Sequence, residues 1–423
     1  MNILFVCTDN YTRSVVAELC LKHYIKENNI DSIEVASAGV RANSDTSKYS
    51  SIHFDRMSEL NIDLSSFKRT PFRREFFDHY DFIIAMGIEH KKYFEEAYGR
   101  KIHLFNKILL GEETSLVVPP PDKDGEYLLE IKKMVDTLYE AMPLFVVKLK
   151  ELQVKQKLKS IDFSNVKTEV FSLILDDMLQ HIGSTDGELR DELIYSTFGK
   201  LILGDYLTPD QMASILCICL SKEYLFYEIG EINCDSVFKR AFSSLVVTLI
   251  LIKDKQQPFL STETVRETMN LVIPYMQQEK DVRGYVDGKG WAHAIAHGAD
   301  LLDAVVNHPS FSIVKAREIL NVIGNSLLCN EIYIDDEDER LTVPVVSLLQ
   351  KGISEETIID WLTILFKETH DGLQLNDFRK RTNLSNFFKT LYFHFLFKNS
   401  GAMIRQTIEN LLKNKQGTVI TSL

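Results

Sequence analysis

Two regimes of hydrophobic patterning divide the chain. Up to about residue 110, short apolar runs alternate with amphipathic stretches. The runs Ile3–Cys7, Ile33–Ala36, Phe82–Met86 and Ile102–Leu104 read as strands, and Val15 to Tyr24 reads as an uninterrupted helix. Apolar strands alternating with helical segments predict an α/β doubly wound parallel sheet. From Tyr127 to about Leu158 the pattern is helical and becomes rich in lysine (Lys148, Lys150, Lys155, Lys157, Lys159). This predicts a first domain over residues 1–150 that ends in a helix, then a linker over 151–160.

Residues 161–423 read as helical almost throughout. Helix-start signals recur at Thr208-Pro209-Asp210, Ser261-Thr262-Glu263 and Ser354-Glu355-Glu356, with a hydroxyl cap and proline or acid in the first turn. Val265, Met269, Val272 and Met276 recur at three and four spacings. An all-α domain follows, and a helical-repeat stack is one arrangement that this pattern allows.

A chain of 423 residues with 45% apolar content has room for two or three globular domains. Its net charge of −12 disfavours generic binding to nucleic acid or an anionic membrane surface, despite local basic pairs at Lys68-Arg69 and Arg73-Arg74. Six cysteines (Cys7, Cys20, Cys217, Cys219, Cys234, Cys329) lack the dense spacing of a disulfide framework. The start of the chain enters a strand directly, with no signal-peptide pattern, and the longest apolar run, near Leu245 to Ile252, is too short to span a bilayer. The expectation is a cytoplasmic protein.

The chemistry concentrates directly after the first strand, where residues 6–14 read Val-Cys-Thr-Asp-Asn-Tyr-Thr-Arg-Ser. A strand, a short loop opening with cysteine and closing with arginine, and then a helix form a natural anion cradle. Loop N–H groups and the helix N-terminus supply positive potential. That field favours the thiolate of Cys7, the nucleophilic form of the thiol. Arg13 contributes planar paired donors for two phosphoryl oxygens. Such chemistry needs no metal or cofactor.

The loop resembles that of the low-molecular-weight protein tyrosine phosphatases, C-x-x-N-x-x-R-S, which Cys7, Asn10, Arg13 and Ser14 match as they stand. The resemblance continues through Ala36-Ser37-Ala38-Gly39, Asn61-Ile62-Asp63-Leu64, Asp81 to Met86, and His90, and covers roughly residues 1 to 145. It implies a cysteinyl-phosphate formed on Cys7, with Arg13 gripping the equatorial oxygens and Ser14 donating to the thiolate. Thr8, Asp9, Asn10, Tyr11 and Thr12 complete the phosphate-binding loop, with Ser37 and His90 as supports. Asn10 suits a left-handed position there. The family's general acid lies on a late loop, which makes Asp122 in the run Val118 to Gly125 the expected acid and Asp124 its substitute.

Several positions depart from the family pattern. Asp9 places a carboxylate where glycine is common. Tyr11 stands where tyrosine phosphatases carry isoleucine and protein-arginine phosphatases threonine, and its ring is expected to narrow the pocket or stack on substrate. No aromatic residue lies between Val40 and Lys48, where a wall for the substrate ring is expected. The related thioredoxin-coupled arsenate reductases need two further cysteines, and none occurs between Cys20 and Cys217.

In the helical region, Asp281 to Asp300 resembles a bacterial helical domain of unknown function that carries G-K-G-W-A-H-x-x-A-H-G-x-D. His293, His297 and Asp300 fall at i, i+4 and i+7, which predicts one helical face able to hold Zn²⁺ or Fe²⁺. Arg283 and Lys289 flank a glycine-rich approach suited to an anion. The competing expectation is a purely structural helix contact, with Asp300 bonded to His297 and Trp291 filling core.

The reading that follows is a phosphomonoester hydrolase acting on phosphotyrosine in a phosphoprotein, with the helical domain selecting targets or regulating. Its alternatives are a non-catalytic phosphoprotein-binding module, a protein-arginine phosphatase, and a separate metal- or ligand-binding activity in the helical domain.

Overall fold

The computed structural model describes residues 1–47, 49–118, 124–163, 168–370 and 374–420. The chain divides into two compact units, Met1–Gln153 and Val154–Leu423.

The first unit runs β1 (Asn2–Cys7), α1 (Arg13–Glu27), β2 (Glu34–Gly39), α2 (Ile52–Glu59), α3 (Phe76–His79), β3 (Phe82–Ala85), α4 (Ile88–Tyr98), β4 (His103–Leu104), α5 (Phe105–Leu110) and then α6, which begins at Asp124. The strands form one parallel sheet in the order β2-β1-β3-β4. In β1 the two-residue period of a strand sends side chains to opposite faces. Ile3, Phe5 and Cys7 join a core with Val16, Leu138 and Phe145, whereas Leu4 and Val6 join one with Ile83 and Phe94. Pairing of Cys7 with Gly39 and of Val6 with Ala85 aligns the carboxyl ends of three strands at one edge. That edge is where open α/β sheets place their ligands.

The second unit is helical. Its central helix, Ser236–Gln256, buries residues around its whole circumference, as a helix enclosed by others must. The expected starts recur: Thr208 forms a capping box with Gln211, Ser261 caps Thr262–Gln278, and a helix begins at Glu355 directly after Ser354. Residues 151–159, expected within a linker, are helical. Two guanidiniums are fully buried. Arg240 pairs with Glu279, and both side chains are shut off from solvent. Arg190 lies over the rings of Phe238 and Phe242 and donates to the carbonyls of Ser184, Lys289 and Trp291. Those bonds anchor a small hairpin, β5 (Tyr285–Val286) and β6 (Gly290–Trp291). Among the described residues, no helix is long and apolar enough to cross a membrane.

Candidate active site

At the carboxyl end of β1 the chain turns sharply into α1. Asn10 makes the turn in the left-handed conformation, with φ of 49°. Its side chain holds the loop from both ends: Nδ2 donates to Ser14 Oγ at 3.1 Å and Ser37 Oγ at 2.6 Å, and Oδ1 accepts from the Thr70 amide at 2.6 Å. Ser37 donates in turn to Glu18. Cys7 Sγ lies 3.0 Å from Ser14 Oγ. Gly39, beside Cys7 in the sheet, has no room for a side chain, because a β-carbon there would meet Asn10 N and Thr8 O within 2.8 Å.

His90 caps the other flank, buried and 2.9 Å from Thr8 Oγ1 through Nε2, with Arg13 Nη2 at 3.5 Å from the same nitrogen. Two hydrogen-bonding groups converge on Nε2, and an arginine only donates, so Nε2 is the acceptor of a neutral ring. Burial and the Arg13 charge push this histidine down to about 4, although Glu89 and Asp9 oppose the shift. His53, wholly buried with Nε2 3.0 Å from the Tyr11 carbonyl, is likewise pushed down to about 4, chiefly by burial. Both rings stay neutral in the fold but protonate near 6.5 in the unfolded chain. The unfolded state therefore binds more protons between pH 6.5 and about 4, and stability falls as pH drops through that window. The slope is up to ~1.4 kcal/mol per pH unit for each ring. Urea unfolding at pH 7 and pH 5 checks this: His53→Gln and His90→Gln should each lose less stability on acidification than wild type. Parallel losses would show that neither ring carries the effect.

Cys7, Thr8, Asp9, Thr12 and Arg13 line a cavity of about 510 Å³ with Tyr49, Glu89, Tyr127 and the stretch Ser115 to Val118. The sulfur and the guanidinium thus face one space. The aromatic wall expected between Val40 and Lys48 comes instead from Tyr49, the next residue, and from Tyr127 on α6. Tyr11 does not line the cavity. Its ring packs edge-on against His53, Phe54 and Phe67 and stands behind Tyr49, with ring centroids 6.0 Å apart. The Asp9 carboxylate accepts from Ser44 Oγ and Tyr49 Oη, each at 2.8 Å, and its carbonyl accepts twice from Arg69. Burial and the Asp9 bond push the Tyr49 phenol up to about 12, which keeps it a donor. Asp122 lies outside the described residues, and Asp124 opens α6. Sequence reasoning missed Tyr49, Tyr127 and Glu89. Only Glu89 carried a signal, its place beside His90.

Residues 2–157 match the family model described as low molecular weight phosphotyrosine protein phosphatase. That match spans the amino-terminal unit. Residues 225–393 match a family described as protein of unknown function (DUF2785). A relative from Bacillus subtilis (strain 168) named protein-arginine-phosphatase is 29% identical over 122 residues, which span 28% of this chain and 79% of the relative. Solved structures include a YwlE mutant from Bacillus subtilis, 28% identical with a TM-score of 0.31, covering 36% of this chain and 99% of that one. A low molecular weight protein tyrosine phosphatase from T. tengcongensis is 29% identical with a TM-score of 0.31, over 35% and 99% of the two chains.

Of the expected second site, the two histidines come together and Asp300 is drawn elsewhere. His293 precedes its helix, Ala294–Asn307, in the left-handed conformation (φ of 48°), and its ring still meets that of His297 edge-on at 5.7 Å. Its Nε2 is 2.9 Å from the Asp335 carbonyl, and its ring stacks on Trp291 at 4.3 Å. His297 is buried edge-on against Phe242. Asp300 is paired with Arg340 rather than with His297. Among the described residues no group of three or more such side chains could hold a metal ion. The bases expected to flank an anion are engaged, Arg283 with Asp281 and Lys289 with Asp235. Trp291, expected in the core, is 41% exposed.

Proposed function

We propose that the amino-terminal unit hydrolyses phosphorylated protein side chains through a cysteinyl-phosphate, with phosphotyrosine as its substrate class. The observation that carries this is the convergence of Cys7 and Arg13 on one cavity with two tyrosine rings in its lining. Cys7 Sγ attacks phosphorus as the thiolate. As the S–P bond forms, the P–O bond to the side chain breaks, and Asp122 donates its proton to the leaving oxygen. A water then attacks the phosphorus with Asp122 as base, releasing inorganic phosphate and restoring the thiolate. Arg13 stabilises the charge on the equatorial oxygens in both steps. A substrate ring fits between Tyr49 and Tyr127, where offset or edge contacts add to its burial.

A second reading is favoured by a specific observation. Asp9 and Glu89 place two carboxylates in the same lining, and these suit the guanidinium of a phosphoarginine. The Bacillus subtilis relative is named for that substrate.

Phosphate release from phosphotyrosine and phosphoarginine peptides, with Cys7→Ser in parallel, separates these readings. The phosphotyrosine reading expects kcat/KM for phosphotyrosine at least tenfold above phosphoarginine; the reverse order overturns it. Release equal in wild type and Cys7→Ser would leave a phosphate-binding module. For the acid, Asp122→Asn should slow poor leaving groups far more than para-nitrophenyl phosphate. An unchanged ratio with Asp122→Asn, and a changed one with Asp124→Asn, moves that role to Asp124.

A further inference from the structure

Arg13 can act only if its guanidinium presents one edge squarely to the phosphoryl group, and the loop itself does not fix that edge. The corner that the protein holds is Nη1, which donates to Glu89 Oε1 at 2.9 Å and to the Leu116 carbonyl at 3.3 Å. With that corner occupied and one Nη2 hydrogen turned to His90 Nε2 at 3.5 Å, Nε and the second Nη2 hydrogen are the pair left for a two-pronged grip on phosphate. We propose that Glu89 is the positioning residue for Arg13, and that it works in space that Gly87 leaves open. This rests on the phosphatase reading above and names a residue that no motif in the loop specifies.

Glu89 is held from more than one side. Its Oε2 accepts from Ser115 Oγ at 3.3 Å, and Ser115 Oγ accepts from the Ile88 amide at 2.8 Å. His90 Nδ1 lies 3.4 Å from Oε1. Partial burial opposes the charge on Glu89, but its own backbone amide and the neighbouring charges outweigh that and hold the carboxyl below its usual range. The carboxylate occupies the place where a side chain on residue 87 would stand, since a β-carbon on Gly87 would collide with both of its oxygens. Gly87 itself is extended (φ of −157°, ψ of 158°), a conformation open to any residue. Its glycine therefore serves room and not backbone freedom. Residues 87 and 89 compete for one volume, and a carboxylate could reach it from either.

The sign of the effect separates this role from a bystander's. A mere negative charge near the cavity repels a phosphate dianion, so its removal would lower KM and leave kcat alone. A positioning carboxylate acts where Arg13 acts, on the transition state. Misplacing a catalytic group by about 1 Å costs on the order of 10²-fold. Glu89→Ala and Glu89→Gln are therefore expected to lower kcat about 10- to 100-fold with little change in KM. Gly87→Asp/Glu89→Ala, which returns a carboxylate from the other position, should recover most of kcat. Gly87→Asn/Glu89→Ala, which offers a helix cap of the same size without charge, should not.

Crystal structures of Glu89→Ala and the aspartate swap give a readout independent of turnover. The Arg13 guanidinium should leave its wild-type position in the first and return in the second. A guanidinium that stays in place in Glu89→Ala, or a kcat unchanged there, overturns the proposal. Wild-type protein without turnover on any phosphate ester would sink the phosphatase reading alone, and the crystal comparison would still decide the role of Glu89.

Discussion

Replacing Cys7 by serine is expected to bring para-nitrophenyl phosphate turnover down to the uncatalysed background. The nearest hydroxyls are already engaged: Ser14 is committed to Asn10 and to the sulfur itself, and Thr8 is held by His90. A serine hydroxyl there would be weakly nucleophilic without an adjacent base, and the neighbouring His90 ring contacts Thr8, not residue 7. Arg13→Lys should cost about 10²–10³-fold in kcat, the range for loss of an oxyanion-stabilising donor. Lysine keeps the charge but offers a point where the site holds a planar fork through Glu89 and Leu116. Steady-state kinetics on the two variants checks both numbers. Turnover by Cys7→Ser above background would rule out the cysteinyl-phosphate route.

The largest stability effect is expected in the helical unit. Arg240 donates twice to Glu279, to the carbonyls of Tyr227 and Glu228, and to Ser236 Oγ, while Glu279 also accepts from the amides of Lys280 and Asp281. Neither side chain sees solvent. Removing either one leaves an uncompensated buried charge, which costs about 3–5 kcal/mol. Arg240→Ala and Glu279→Ala should each lower unfolding free energy by that amount in denaturant titrations of the full chain. The double variant should cost less than their sum, because the second truncation removes the stranded charge. A loss under about 1 kcal/mol for Arg240→Ala would mean that water reaches the pair.

What could be read from the sequence follows how local each constraint is. The strand Ile3–Val6, the loop Cys7–Ser14 and the left-handed Asn10 are specified within a dozen residues. Residue type and spacing are enough to place them. The cavity wall is not local. Tyr49 lies just past the window in which a ring is expected, and Tyr127 comes from a helix more than a hundred residues after the nucleophile. Tyr11 misleads for a related reason: its ring packs on His53, Phe54 and Phe67, residues more than forty positions away. Helical spacing brings the His297 ring within 5.7 Å of His293, although the helix itself begins only after His293. The chain there is bent by a positive φ, with its backbone amide bonded to the Arg283 carbonyl. The cap signals at Thr208 and Ser261 succeeded because a cap is a contact between residues three apart.

The ties on Asp9 reach beyond its own position. Arg69 fixes its carbonyl, while Ser44 and Tyr49 fix its carboxylate, so the loop after β1 and the Tyr49 ring at the cavity are tied to each other. Grafting residues 7–14 alone onto another scaffold would transplant the nucleophile without its moorings. A chimera that preserves the pocket must carry the segments around Ser44, Tyr49 and Arg69 with it.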